Sequence, residues 1–465
     1  MRVAVIGTGY VGIVSGACLA EAGHEVVCVD VDPEKVDRIN AGRAPIHEAG
    51  LDELLHRNVG TRLRATTDLR RAVLDAELSL ICVGTPSTPD GIDLRYVLQC
   101  ARDIGTVLRE TERFHAVVVK STVVPGTTDG PVTAVLEEAS GKVAGRDFGV
   151  GMNPEFLTEG QAVRDFARPD RIVLGASDAR TLQALERLYE AFPDTPTLRV
   201  NPRTAEMIKY ASNAMLATQI SFANEIANLC AALGGIDVTE VTDGVHLSGY
   251  LSPLVPGSGD RVRAPLASFL EAGCGFGGSC LPKDVTALAA QGREVGTPMP
   301  VLEAVLATNR AQPGRMLDLL RIHYPDLTGV RVTVLGLAFK PDTDDMRESP
   351  AIPILRELVS AGARVRAYDP VAMDAAREAL PDLPLAYAPT LEDAVAEADA
   401  LVLVTRWAEF QRVAERVAEL DPQPVVVDGR RVLDPKRFER YEGIGVRREP
   451  SDIASGALAE GAPSV

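Results

Sequence analysis

The first thirty residues constrain the fold more than any other part of the chain. Val3 to Ile6 is a short apolar run of the kind that forms a buried strand; Gly7-Thr8-Gly9-Tyr10-Val11-Gly12 follows, then a helical pattern through Ala20 to Gly23. A second apolar run, Val26 to Val29, ends in Asp30, 18 residues beyond Gly12. Strand, glycine turn, helix, strand and acid, in that order, make a dinucleotide site. Gly7, Gly9 and Gly12, with Tyr10 and Val11 between them, let backbone N–H groups reach a pyrophosphate, and the Asp30 carboxylate accepts ribose hydroxyls. A carboxylate there repels a 2′-phosphate, so the expected cofactor is NAD rather than NADP. The bland alternative is an aspartate that merely ends a strand.

Further strand runs follow at Leu63 to Ala65, Leu78 to Val83 before Gly84-Thr85-Pro86, Ala116 to Val119 before Lys120-Ser121-Thr122, and Val150 to Asn153. Ligands bind outside the carboxyl ends of such strands, which makes Thr85, Ser121 and Thr122 cofactor neighbours, unless they serve only as helix caps. After the last strand comes Asn153-Pro154-Glu155-Phe156-Leu157-Thr158-Glu159-Gly160. If this loop is helical, Glu155 and Glu159 share one face, as a base and a substrate anchor or as a solvated pair.

From Thr204 to Leu233 the period becomes that of one long helix, with Ile208, Met215, Phe222 and Leu229 recurring every seven residues and Ala211, Ala214 and Thr218 between them. About 30 residues span roughly 45 Å, enough to join two domains and to carry a dimer interface through a continuous packing stripe. Lys209 and Asn213 stand at i and i+4 on an adjoining face, a catalytic pair or a satisfied structural one.

Gly275 to Asp284 reads G-F-G-G-S-C-L-P-K-D. Cys280 sits there between flexible glycines, which allow close backbone and substrate approach, and a Lys-Asp pair whose charge can favour thiolate. It is a candidate nucleophile, or one more small buried hydrophobe. Cys18, Cys28, Cys82, Cys100 and Cys230 lie in apolar patterns, and Cys274 is an ambiguous neighbour.

The last third echoes the first. Arg331 to Leu335 ends at Gly336, Ala361 to Asp369 parallels Ala22 to Asp30, and Ala400 to Val404 and Pro424 to Val427 match the later strands. The expected fold is α/β: two Rossmann-like doubly wound domains joined by a long central helix. The boundaries fall at 1–200, 201–320 and 321–448, with a disordered Ala-, Gly-, Ser- and Pro-rich tail at 449–465. The second copy lacks G-x-G-x-x-G and offers Lys340, Arg347 and Arg430 at strand ends to phosphates instead, or to solvent.

A net charge of −17, with no Lys/Arg run, argues against a nucleic-acid partner. Seven cysteines without a Cys-x-x-Cys or Cys/His cluster imply a reducing, cytoplasmic setting and no metal. The N-terminal apolar run is too short for a signal peptide, and no segment approaches the roughly 18 apolar residues of a membrane span.

Seven blocks in order, G-T-G-Y-V-G, V-G-T-P, K-S-T-V, N-P-E-F-L-T-E-G, the Lys209/Asn213 helix, G-F-G-G-S-C-L-P-K-D and G-L-A-F-K-P-D-T-D-D-M-R-E-S-P, resemble the nucleotide-sugar dehydrogenases of the UDP-glucose/GDP-mannose dehydrogenase family. The resemblance implies NAD-dependent four-electron oxidation of a sugar alcohol to a uronic acid, with a UDP-glucosyl substrate. It implies Cys280 as thiol nucleophile, Asp284 and Thr122 as organisers of the hydrolytic water, and Lys209 and Asn213 on the reacting oxygens. Glu155 and Glu159 would position substrate and water, with Phe156 and Leu157 beside the substrate and Glu159 also near the cofactor. Lys35 would lie near the adenosine ribose and Arg347 near the cofactor. Phe269, Leu270, Gly273, Lys340 and Arg430 would surround the nucleotide diphosphate, in a homodimer joined through the central helix. The chain departs from the family at D-x-R-I-G, present only as Asp260-Arg261-Val262-Arg263 after a longer loop. Arg261, Arg263 or neither reaches a partner's site, and TDP-glucose, GDP-mannose and UDP-N-acetylhexosamines stay open as substrates. A silent NAD-binding scaffold would have lost Cys280, Asp284 or Lys209; a two-electron alcohol dehydrogenase would yield one NADH and a stable aldehyde.

Overall fold

A computed structural model describes residues 1–88 and 91–447. The tail expected to be disordered lies outside the described residues. The chain forms two compact units, one of Met1–Ser212 with Thr286–Thr297, the other of Asn213–Val285 with the described chain from Pro298 onward.

The first unit is built on strands β1 (Arg2–Ile6), β2 (Glu25–Val29), β3 (Leu63–Thr66), β4 (Leu78–Ile81), β5 (Ala116–Val119), β6 (Gly149–Met152), β7 (Ile172–Ala176) and β8 (Thr197–Val200). They form one sheet in the order β8-β7-β6-β5-β4-β1-β2-β3. Alternate residues of β1 feed opposite faces: Val3 and Val5 pack with Ile13 and Leu19, whereas Ala4 and Ile6 pack with Ile81 and Val119. A sheet covered on both sides needs apolar residues at every position, which is why these strands read as unbroken runs. Each large side chain so buried contributes about 1.5–3 kcal/mol. The order reverses at β1, between β2 and β4, so the first glycine turn opens at a switch point where such sheets bind ligands. Two further strands, β7 and β8, extend the sheet beyond those legible in the sequence: β7 runs antiparallel to β6, and β8 pairs parallel to β7.

The second unit repeats the plan with β9 (Arg331–Leu335), β10 (Arg364–Tyr368), β11 (Ala386–Tyr387), β12 (Ala400–Leu403), β13 (Val425–Asp428) and β14 (Tyr441–Gly443), ordered β11-β10-β9-β12-β13-β14 and parallel throughout. Val332 and Val334 face one core and Leu335 the other. The fold is α/β with two Rossmann-like sheets, as expected.

Three helices matter for function. Helix α1 (Tyr10–Glu21) follows the glycine turn; α2 (Pro202–Leu233) has 32 residues, a span of about 48 Å; α3 (Leu281–Glu294) follows Cys280. The heptad stripe of α2 is packed at Ile208 and turns outward beyond it among the described residues. Met215, Phe222 and Leu229 are 51%, 54% and 55% exposed. The 153–158 segment is extended loop, not helix, so Glu155 and Glu159 do not share a helical face. No helix among the described residues is long and apolar enough to cross a membrane.

Candidate active site

At the dinucleotide turn, a Cβ on Gly12 would lie 1.8 Å from the Gly7 carbonyl, so only glycine lets α1 start this close to β1. A Cβ on Gly9 would meet nothing within 4 Å. That opening, above backbone N–H groups at a helix N-terminus, fits a pyrophosphate. Asp30, at the end of β2, accepts from Thr8 N at 2.8 Å and Thr8 Oγ1 at 2.5 Å, and from Asp32 N at 3.1 Å. Burial works against its ionisation, but these donors outweigh it and hold the carboxyl below the usual range. Its fixed negative charge suits a ribose diol and opposes a 2′-phosphate. Lys35 lies in the first turn of the next helix (Pro33–Asn40), whose cap Asp32 accepts the Lys35 N–H at 3.5 Å. Tyr10 and Val11 are partly buried in the turn; the Tyr10 hydroxyl meets the Glu48 carboxylate and accepts from Gly160 N at 2.7 Å. Glu48, which the sequence did not single out, thus ties the glycine turn to the loop carrying Glu159.

Thr85 and Ser121 are not helix caps. Thr85 Oγ1 donates to the Thr122 carbonyl at 3.0 Å, and Ser121 Oγ to the Val83 carbonyl at 2.7 Å, lacing together the loops that leave β4 and β5. Thr122 stays partly exposed at this end of the sheet.

Lys209 and Glu155 form a buried ion pair, with Nζ 2.7 Å from Oε1 and side chains only 5% and 6% exposed. Burial penalises the carboxylate, but the Lys209 charge and the Leu157 N–H, 2.6 Å from Oε2, pull its pKa below the ordinary value. The solvated-pair alternative for Glu155 is thereby overturned. Phe156 lies under the Arg171 guanidinium, 3.8 Å from its ring centre, and Leu157 is partly exposed beside it. Lys120, a second buried ammonium, donates to Asn153 Oδ1 at 2.9 Å and the Tyr189 hydroxyl at 3.2 Å, fixing the start of this loop.

Six of the seven cysteines are buried; Cys280, in the second unit, is the exception. Burial drives the thiols of Cys18, Cys28 and Cys82 up to about 12, and that of Cys274, which donates to the Gly429 carbonyl, to about 11. Such thiols are inert at neutral pH. The glycines before Cys280 let the backbone approach the 339–348 loop. Gly278 adopts φ +82° with a Cβ position 2.7 Å from the Phe339 ring, and its N–H donates to the Arg347 carbonyl at 2.9 Å. Asp284, in the first turn of α3, is buried; its Oδ2 accepts from Asn213 Nδ2 at 2.6 Å and its Oδ1 from Lys283 Nζ at 2.5 Å.

The second copy of the Rossmann plan is closed to a dinucleotide. Asp369, the counterpart of Asp30, is buried and accepts from Leu337 N, Ala338 N, Val371 N, Ala372 N and Trp407 Nε1, all within 3.1 Å. Every acceptor site is spent on its own chain. Nearby, Arg430 donates to the carbonyls of Val404 at 2.5 Å and Gly275 at 3.4 Å, and burial holds its guanidinium below the usual arginine range. A cation satisfied only by neutral carbonyls is suited to an incoming phosphate. A Gly273 Cβ would come within 2.8 Å of it, and the Gly273 N–H is already donated to Asn224 Oδ1 at 2.7 Å, so that glycine offers packing room rather than a donor. Asn224 and Gln312, whose Nε2 donates to the Gly273 carbonyl at 2.9 Å, were not singled out in the sequence; buried amides on helices carry no motif. Phe269 and Leu270 end a short 3₁₀ turn, Lys340 stands 5.8 Å from the Phe339 ring centre, and Arg347 pairs with Asp345 at 2.7 Å. Arg261 donates to the carbonyls of Leu247 and Ser252, and Arg263 contacts His246 and Glu271.

A glycine-rich dinucleotide turn with an aspartate after the next strand, in a chain whose second Rossmann-like unit carries a partly exposed cysteine, is the arrangement of an NAD-dependent dehydrogenase. Three family models match: the NAD binding domain over residues 1–193, the central domain over 203–311 and the UDP binding domain over 333–435 of the UDP-glucose/GDP-mannose dehydrogenase family. The chain belongs to that family. It is 44% identical to the UDP-glucose 6-dehydrogenase AglM of Haloferax volcanii, over 96% of this chain and all of that one. It is 39% identical to the GDP-mannose 6-dehydrogenase of Pseudomonas putida, over 89% of this chain and 93% of that one. Among solved structures, a UDP-glucose dehydrogenase from Pyrobaculum islandicum superposes with a TM-score of 0.87 at 41% identity, covering 96% of this chain and 98% of that one.

Proposed function

We propose that the protein oxidises UDP-glucose at carbon 6 to UDP-glucuronate. The observation that carries this reading is the singular state of Cys280, the one thiol not sealed in a core, placed one helical turn before the buried Asp284. NAD, held by the Gly7–Gly12 turn and Asp30, supplies a two-electron hydride acceptor for each of two oxidations. Glu155, Phe156 and Leu157 hold the glucosyl group. The Lys209 ammonium, with Asn213, stabilises negative charge on the reacting oxygen. Once carbon 6 is an aldehyde, the Cys280 sulfur adds to it and the carbonyl oxygen takes a proton, giving a thiohemiacetal whose remaining C–H can leave as the second hydride. The resulting thioester is attacked by water held by Asp284, Thr122 and Glu159; the carbon–sulfur bond breaks, Cys280 recovers its proton, and a carboxylate is released.

Division of labour follows the chain: 1–200 for NAD, 201–320 for the helix and cysteine loop, 321–448 for the nucleotide sugar. Thr85, Ser121, Lys35 and Arg347 complete the cofactor set, and Phe269, Leu270, Gly273, Lys340 and Arg430 the diphosphate set. The exposed apolar stripe of α2 supports a homodimer through that helix, and unbonded cysteines suit the cytoplasm. A second reading, the same chemistry on GDP-mannose, is favoured by the GDP-mannose 6-dehydrogenases among the relatives. The test is a panel of UDP-glucose, TDP-glucose, GDP-mannose and UDP-N-acetylhexosamines with NADH counted per sugar. Two NADH with UDP-glucose as best substrate is the expected result; one NADH and an accumulating aldehyde would overturn the covalent route.

A further inference from the structure

A second buried acid, besides Glu155, stands on helix α2 one turn before Lys209. Glu206 is 0% exposed. Its two carboxylate oxygens are not paired with a cation: Oε2 accepts the Gly126 N–H at 2.6 Å and Oε1 the Thr128 N–H at 2.8 Å. Both donors belong to the loop that leaves β5 with Ser121 and Thr122 and turns at Gly126, where φ is +96°. Elsewhere that loop is held by neutral bonds, from Thr85 Oγ1 to the Thr122 carbonyl and from Gln291 Nε2 to the Pro125 carbonyl at 2.7 Å. An ionised carboxylate buried without a counter-ion is costly to a fold. It is kept here where it can join two backbone donors of one loop to the helix that bears Lys209.

We propose that Glu206 is a positioning residue for the reaction: by accepting both N–H groups at once, it sets the register of the Thr122 loop against the Lys209 helix. The inference rests on the proposed dehydrogenase chemistry only for its effect on rate. Only a carboxylate can do this, because an amide presents one acceptor and one donor, and a protonated carboxyl likewise turns one oxygen into a donor. The charged groups on the elements that supply its partners are Asp129, held at 2.8 Å by Arg203 of α2, and Lys209, held by Glu155. Burial raises the Glu206 pKa to about 6, with Asp129 adding to the rise and the Thr128 hydroxyl and the two N–H groups opposing it. The loop therefore loosens as pH falls through about 6.

Amide exchange at Gly126 and Thr128, together with kcat against pH, tests this. In the wild-type protein both amides should be protected at pH 8, and kcat should fall below about pH 6 while KM for NAD changes little. Glu206→Gln is expected to lose protection at one or both amides, to lower kcat by about 10-fold or more, and to lack the acid limb near pH 6. Glu206→Asp, one methylene shorter, should keep the acid limb but protect only one amide; it also serves if the glutamine variant fails to fold. A glutamine variant with wild-type protection and an unchanged pH profile would overturn the proposal. Exchange needs no substrate, so a protein inactive on every nucleotide sugar would sink the dehydrogenase reading and leave this result to stand or fall separately.

Discussion

Cysteine chemistry in this chain is decided residue by residue through burial. Cys274 and Cys280 stand in similar glycine-rich settings, yet one is sealed against Gly429 with a raised pKa and the other is partly exposed. Replacing Cys280 by Ser should lower complete oxidation by at least about 10³-fold and cut the NADH count per sugar from two to one or none, as read from absorbance in single turnover. The Lys209–Glu155 pair makes a different prediction. Lys209→Met leaves a buried carboxylate without its counter-ion, a loss of about 3–5 kcal/mol. Glu155 has a folded pKa below its unfolded value of 4.5, so its contribution is present above about pH 4.5 and is lost as the pH falls further through the folded value. The Lys209→Met penalty, measured by denaturant unfolding, should therefore be largest near neutrality and shrink in acid. Changing Glu155 to Met as well should restore much of the loss, since two apolar side chains leave no charge stranded.

Among elements, the long helix bears most on association. Its seven-residue apolar period would place a stripe in a core if the helix were packed on that side, but Met215, Phe222 and Leu229 are half exposed. Beside it lies an apolar cavity of about 130 Å³ lined by Phe222, Ala223, Ile226, Val238, Val241 and Val245. Continuous apolar exposure of this kind marks an association surface. Phe222→Glu combined with Leu229→Glu should give a monomer by light scattering while the circular dichroism of the fold is retained; a dimer that survives both charges would place the interface elsewhere. The two Rossmann-like sheets show the opposite case, in which equivalent elements do different work. Strands β2 and β10 are both followed directly by aspartate, but Asp30 serves Thr8 and Asp32 and keeps an open turn before it, whereas Asp369 binds five donors of its own unit.

For the whole molecule this difference predicts two separable ligand footprints. NAD alone should slow amide exchange in the 7–12 turn and around Asp30, and UDP alone should slow it at 269–273 and 428–432; NAD protection of the second set would overturn the assignment of tasks. Each ligand at 100 times its Kd should add about 2.7 kcal/mol of stability. The parallel strands, the NAD turn, the repeat of the plan and the family were all legible in the chain because they depend on local order: apolar runs, glycines at fixed spacing and an acid at a strand end. The antiparallel β7 escaped notice because pairing direction leaves no mark on a short apolar run. The condition for a shared face of Glu155 and Glu159 is not met, because i and i+4 spacing brings side chains together only on a helix, and 153–158 is irregular loop. Sequence alone determined which groups could carry chemistry. Only the tertiary structure decided their states, because burial and pairing come from residues far apart in the chain: Glu155 with Lys209, Asp284 with Asn213, Glu206 with the amides of Gly126 and Thr128.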